Sequence, residues 1–405
     1  MTDALSESIG ALGPGALTEA SVQRHIFPLF AGVLANEFIY LANHSLGRPL
    51  DQTAEDLREA FTLWQKKLGD AWEAWLPAQE SHRARIATLI GAQRADCIVP
   101  KTSAGQGLRT VLNALPGKPK VLTTRGEFDS VDFILKQYAA VGRIDLTFVE
   151  LEEDGRFDVE RLMDAVRGGQ GGVDLVVVSQ VMFMTGQIVP GLDELATVCH
   201  AAGARLLVDA FHAVGVIPVD VTAMGADCMI GGSYKYLRGG PGACFLYLSP
   251  EMLASGLMAP LDIGWFAKEN PFLFARPEPP RFAAGGDAFL ESTPSVFSYY
   301  QARAGQRFVL AVGVDRLRAY GLDRLRRLKQ CLEDVGVAVE GADEDHGAFL
   351  TLQHKDAMQL AQILAEKGVH TDARSRWLRL CPDCLTLEEE MHRAAEAVAS
   401  VLQKH

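Results

Sequence analysis

The sequence predicts an α/β fold, a mostly parallel mixed sheet between helices, with a smaller α+β unit beside it. Three observations carry this. From about residue 80 to 248, short apolar runs alternate with helix-like segments, the pattern of strand–helix units that feed a parallel sheet. Residues 174–179 (DLVVVS) are Val-rich, as expected of a strand buried on both faces. After about Pro250 the texture changes to a Pro-rich irregular stretch, followed by long helices and short strands.

At 405 residues the chain exceeds one ordinary core, so two domains are expected. The boundaries read as a large domain over 46–260, a small domain from 1–45 and 296–405, and a long loop region over 261–295. A composition of 48% hydrophobic and 22% charged residues is that of a soluble globular protein. The formal net charge of −12 argues against non-specific nucleic-acid binding. It also means that an anionic ligand needs a local cation or a nest of backbone N–H groups. The N-terminal MTDALSESIG is acidic and lacks the apolar region of a signal peptide. No apolar run reaches membrane-span length. Seven scattered cysteines fit a reducing compartment, so a cytoplasmic location without membrane attachment is expected.

In chain order, residues 18–34 are helix-like and 38–41 (FIYL) strand-like. The turn Asn43-His44-Ser45-Leu46-Gly47-Arg48-Pro49 follows. Asp51 or Thr53 can cap a long helix in which Leu57, Phe61, Trp64 and Leu68 recur at helical spacing. Trp72 and Trp75 suit either helix packing or an aromatic pocket. A helix over 82–91 precedes a strand over 97–99, the small-residue loop KTSAGQG and a helix over 108–115. Strand-to-loop-to-helix geometry of this kind binds phosphate, because free N–H groups and the helix dipole face the anion. Strands over 120–123, 145–149 and 174–179 alternate with helices over 131–141, 157–166 and 191–202. The stretch 205–248 then reads strand, loop, strand, loop, strand. Beyond the Pro-rich loop come helices over 297–318 and 322–334, strands over 349–353 and 377–380, and helices over 356–366 and from 387.

In such sheets ligands bind beyond the carboxyl ends of the strands. Ser103, Phe128, Thr185, Asp209 and Lys235 all fall just past expected strand ends. Asp209 ends the apolar run LLVD, and Lys235 follows the next strand in GGSYKYL. A buried carboxylate needs a partner, and the N–H of a pyridinium ring is one. With a lysine to hold the aldehyde, the pair suits pyridoxal 5'-phosphate (PLP). His212 could stack over or hydrogen-bond near the ring, serve as acid or base, or be structural. Phe128 could cover the opposite ring face. Arg379 is a natural clamp for an amino-acid carboxylate, with Arg374 and Arg376 as competitors. Cys381-Pro-Asp-Cys384 has CxxC spacing but no second pair, so no metal is assigned. The absence of an early G-x-G-x-x-G turn disfavours a nucleotide-binding oxidoreductase.

At Ser233-Tyr234-Lys235-Tyr236-Leu237 the chain resembles the kynureninase family, within the class V branch of fold-type-I PLP enzymes. Asn43-His44-Ser45-Leu46-Gly47 resembles the family's GNSLG turn, and Thr102-Ser103-Ala104 its phosphate loop. Glu127-Phe128-Asp129-Ser130 is similar to its ring-stacking segment, Thr185-Gly186 to its TG, and Asp209 to His212 to its D-x-x-H. Gly264-Trp265, Ser292-Thr293-Pro294 and Arg374 with Arg379 match further pieces. The resemblance implies that Lys235 carries PLP, Asp209 pairs with its ring nitrogen, and Phe128 stacks. It places Thr102, Ser103 and Tyr234 at the phosphate, and Tyr234 or His212 in proton transfer. Arg379, His44 and Ser45 fall to the substrate, a small amino acid. Trp265 and Thr293 would reach a neighbouring subunit's cofactor, which implies a homodimer. The implied reaction is hydrolytic Cβ–Cγ cleavage of kynurenine or a related amino acid. An aminotransferase or a desulfurase-like lyase of the same class is the alternative. Three positions depart from the family pattern: His44 and Arg238 stand where it has Asn, and Asp129 follows Phe128 where it usually has Pro.

Overall fold

The structure, a computed structural model, describes residues 4–169 and 172–404. Its first strand, β1 (Ile39–Tyr40), precedes the seven that form the central sheet. These are β2 (Ile98–Lys101), β3 (Lys120–Thr124), β4 (Asp145–Val149), β5 (Leu175–Ser179), β6 (Arg205–Asp209), β7 (Cys228–Gly232) and β8 (Cys244–Leu248). They lie in the order β2-β8-β7-β6-β5-β3-β4. Strand β8 is antiparallel to both β2 and β7, and the remaining pairs are parallel. The parallel register sets Ser179 beside Asp209 and Asp209 beside Ile230.

The period-two alternation of strands divides the apolar side chains between two faces. Val176, Val178, Leu206 and Val208 join a core with Ile26, Phe30, Leu195 and Phe308. Leu175, Val177 and Leu207 join another with Leu108, Val111, Val131 and Leu135. Each such side chain contributes about 1.5–3 kcal/mol by leaving water. Helices thus cover both faces, as an almost continuous apolar strand requires. A further core gathers Ile39, Leu41, Leu325, Leu328, Leu350, Leu378 and Val398. There β9 (Leu350–Gln353), β10 (Val369–His370), β11 (Asp372–Arg374) and β12 (Trp377–Leu380) make two small sheets, β11-β12-β9 and β1-β10. No described helix is long and apolar enough to cross a membrane.

Several elements differ from the sequence expectation. The stripe on helix Gln52–Lys67 faces outward: Phe61 is 45% and Trp64 50% exposed. The helix instead buries Asp56 and Ala60, and Arg303 of helix Val296–Val312 donates to Asp56 (2.6 Å) and Glu59 (2.5 Å). The helix expected over 82–91 runs from Trp72 to Leu89, through Pro77. Pro28 splits the segment 18–34 into three short helices. The two long helices near the C-terminus meet at Gly313, whose φ of +94° breaks the helical path. Strands β10 and β11 are too short for periodicity to reveal.

Candidate active site

The parallel strands end along one edge, and Lys235, Asp209 and the first turn of a helix converge there. That helix, Ala104–Ala114, begins four residues earlier than expected. Ser103 is its N-cap and accepts from Gln106 N–H (3.1 Å). Thr102 donates its N–H (2.7 Å) and hydroxyl (3.1 Å) to Gln106 Oε1. The loop thereby presents its small residues and unpaired first-turn N–H groups to a cavity of about 330 Å³. Thr102, Ser103, Phe128, Asp209, His212, Tyr234 and Lys235 all line it.

Lys235 is buried, with Nζ 2.6 Å from His212 Nε2 and 5.6 Å from the centre of the Phe128 ring. Burial pushes the amine down to about 7, opposed by the Asp209 carboxylate and helped by Arg379 and Arg374. Burial likewise raises Asp209 to about 6, against the hydrogen bond from Phe211 N–H (2.9 Å) and the Lys235 charge. Both shifts have one cause, removal of charge from water. His212 is held well below its ordinary value by burial and by Lys235, so its ring is neutral. Its Nδ1 lies 3.4 Å from Tyr236 Oη. Burial lifts the Tyr234 phenol to about 12, which keeps its proton in place at neutral pH.

These groups fit PLP. Asp209 Oδ1 is taken by Phe211 N–H, which leaves Oδ2 for a ring N–H. Phe128 and His212 flank the lysine amine, one aromatic and one imidazole. The first turn of an eleven-residue helix supplies anion-binding donors where the phosphate would lie.

Arg379 lies on β12, opposite Asp372 of β11. Its Nη2 donates to Asp372 Oδ2 (2.7 Å), its Nη1 donates to Phe183 O, and Arg374 takes the other oxygen of Asp372 (2.6 Å). His44 is buried between these groups and His212: its Nε2 is 3.5 Å from Asp372 Oδ2, and the two imidazole centres are 6.4 Å apart. Burial and Arg379 push His44 down to about 3. Neither of its ring nitrogens has a hydrogen-bond partner among the described residues. Ser45 is half-buried in the same turn, and none of His44, Ser45 and Arg379 lines the cavity.

Some expected residues lie next door instead. Thr293 lines an adjoining cavity of about 240 Å³, which shares Thr102 and Gly242 with the first. Trp265 donates to Thr293 Oγ1 (3.2 Å) and packs among Trp72, Phe266 and Phe272. Thr185 faces a separate crevice with Gly126 and Trp377, and Phe183 takes its expected place at the cavity.

Four residues received no role from the sequence. Arg109 lines the cavity near the phosphate loop. Tyr236 meets His212. Asp372 holds Arg379. Glu127 accepts from Thr124 Oγ1 (2.9 Å), Ser179 N–H (3.2 Å) and Ser179 Oγ (2.6 Å), and burial lifts its carboxyl to about 7. All seven cysteines are free and buried. Cys244 lines the lysine cavity and Cys384 a smaller one of about 60 Å³ that also reaches Lys235, and burial raises the Cys244 thiol to about 12.

Comparison with known proteins gives a consistent picture. The aminotransferase class-V family profile matches residues 50–381. Kynureninase of Geobacillus thermodenitrificans is 27% identical over 390 residues, covering 90% of this chain and 89% of that protein. The uncharacterized aminotransferase YcbU of Bacillus subtilis is 26% identical over 361 residues, covering 88% and 91%. Among solved structures, a cystine C-S lyase in complex with its product cysteine persulfide superposes with a TM-score of 0.81 at 20% identity, over 91% of this chain and 99% of that one. An apo cysteine desulfurase from Thermococcus onnurineus NA1 gives 0.80 at 20%, over 92% and 96%.

Proposed function

The chain belongs to the aminotransferase class-V family of PLP enzymes, and from that premise we propose that it is a kynureninase-type hydrolase acting on kynurenine or a related amino acid. The observation that carries this reading over a desulfurase is the lining of the lysine cavity. It holds an imidazole, a phenol and an amine but no activated thiol, since Cys244 keeps its proton. A desulfurase needs a thiolate nucleophile. Cys381 and Cys384 are buried, with thiols raised as well. The kynureninases matched over most of the chain support the same choice.

In this reading Lys235, Asp209, Phe128, His212, Thr102, Ser103 and Tyr234 hold the cofactor, and Trp265 and Thr293 reach that of a partner subunit in a homodimer. Bound PLP supplies an electron sink for charge developing at the substrate α-carbon. The chain's own groups handle protons and orientation. Lys235 Nζ, lowered to about 7 and so in part neutral at pH 7, takes the α-proton, with His212 Nε2 2.6 Å away. The Tyr234 phenol keeps a proton to donate. Arg379 orients the substrate carboxylate, which takes the place of Asp372 on Nη2. His44 and Ser45 border that end of the substrate. Water adds to the γ-carbonyl, the Cβ–Cγ bond breaks, and anthranilate and alanine leave.

The test is incubation of the PLP-loaded protein with L-kynurenine and 3-hydroxykynurenine, followed by detection of the anthranilates. Formation of either supports the proposal. No anthranilate from a protein with bound cofactor overturns it; keto-acid or sulfide release from other amino acids would then identify an aminotransferase or a lyase.

A further inference from the structure

A buried ion cluster braces the turn that carries Lys235. Arg238, three residues on, closes that turn by donating its N–H to Lys235 O (3.1 Å). It does so at φ +55°, a left-handed conformation that arginine rarely adopts. Both terminal nitrogens of its guanidinium are engaged. Nη2 donates to Asp383 Oδ2 (2.8 Å) and Cys384 Sγ (3.4 Å), and Nη1 donates to Arg48 O (3.2 Å). Arg48 approaches from the opposite side and donates to Asp383 Oδ1 and to Thr386 Oγ1 (3.3 Å). Both arginines are buried, and the Asp383 side chain is only 11% exposed. Such a cluster tolerates no missing partner, because each remaining charge would stay buried and unpaired.

The three residues come from three segments with a shared task. Asp383 lies four positions after Arg379, just past β12. Cys381, between them, donates its N–H to Leu41 O (2.7 Å), and Asn43 Nδ2 donates to Cys381 O (3.0 Å). The same N-terminal segment continues to Gly47, whose N–H donates to Tyr234 O (2.8 Å), and then to Arg48. The cluster therefore ties the strand bearing Arg379 to the turn bearing Lys235.

We propose that Arg48, Asp383 and Arg238 form a positioning clamp that keeps Lys235 in register with Arg379, so that the amine and carboxylate ends of one amino acid are met together. This rests on the roles of Lys235 and Arg379 given above. It also gives the Cys381–Cys384 motif a use that is neither metal nor redox: its aspartate is the centre of the clamp.

The experiment uses the PLP-loaded protein and three variants. Arg238→Asn removes the guanidinium and keeps a residue that tolerates the left-handed backbone. Asp383→Asn removes the shared anion. Arg324→Met is the control, since it breaks another buried arginine cluster, with Glu19 and Asp323, outside the site. The visible absorbance of the bound cofactor is followed during titration with L-alanine and with ethylamine, which lacks the carboxylate, and across pH. In Arg238→Asn, half-saturation by L-alanine is expected to rise at least about fivefold relative to ethylamine, with a shifted pH midpoint of the absorbance. Asp383→Asn, where it folds, shows the same, and Arg324→Met changes thermal stability alone. A responsive parent with Arg238→Asn unmoved in both readouts sinks the clamp. A parent whose absorbance neither titrates nor responds to L-alanine sinks the Lys235–Arg379 reading and the clamp with it.

Discussion

Gly47→Ala places one methyl group against the backbone of the lysine turn. Its Cβ would sit 1.8 Å from Lys235 O and 2.9 Å from Lys235 C. Contacts under 3.0 Å are essentially never seen for real Cβ atoms, so the two backbones must part by roughly 1.2 Å. No side-chain rotation can relieve the clash, because both obstructing atoms are main-chain. The hydrogen bond from Gly47 N–H to Tyr234 O (2.8 Å) stretches as well, at about 1 kcal/mol, and overpacking adds about 1–3 kcal/mol. The larger consequence is functional. An ångström of displacement at a reacting amine costs on the order of 100-fold in rate, so turnover and cofactor uptake should fall far more than thermal stability suggests. Turnover, PLP binding by absorbance and thermal unfolding by circular dichroism are compared with Gly69→Ala, where nothing lies within 4 Å. Turnover and PLP affinity within twofold of the parent would refute the argument that this approach fixes Lys235.

Three further outcomes follow from the same geometry. Lys235→Ala should leave PLP bound but exchangeable, with no cofactor retained on the chain after borohydride reduction and denaturation; retention would place the linkage elsewhere. Burial lowers the Lys235 amine to about 7, so PLP capture by the cofactor-free protein should accelerate as pH rises through about 7 and then level off; a rate still climbing towards pH 10 would mean an ordinary lysine. Glu127 has its pKa raised from 4.5 to about 7, so the folded state binds more protons than the unfolded one in that window and stability falls as pH rises through it. Glu127→Gln removes this dependence, and chemical denaturation should show it gaining on the parent between pH 4.5 and 7, by an amount on the order of 1–3 kcal/mol; parallel pH profiles would disprove the buried-carboxyl account.

The sequence by itself determined the sheet and the strand-end positions of Asp209 and Lys235, the pair proposed to hold the cofactor. Buried parallel strands are local, apolar and short, so 174–179 and 205–209 read correctly without any partner in view, and strand-end residues are fixed by the chain's own order. Asp209, Lys235, Phe128 and the Thr102–Ser103 loop were therefore legible, and the structure brings them to one cavity. Tertiary structure alone decided what surrounds them. The stripe Phe61–Trp64 has core periodicity yet faces outward, because the helix is anchored through Asp56 and Ala60 instead. Asp372 reaches Arg379 only through the antiparallel register of β11 and β12, and β11 is too short to announce itself. Arg238 and Asp383 are 145 residues apart. Periodicity and spacing report contacts along an element, whereas ion pairing between distant segments depends on where the folded chain carries them.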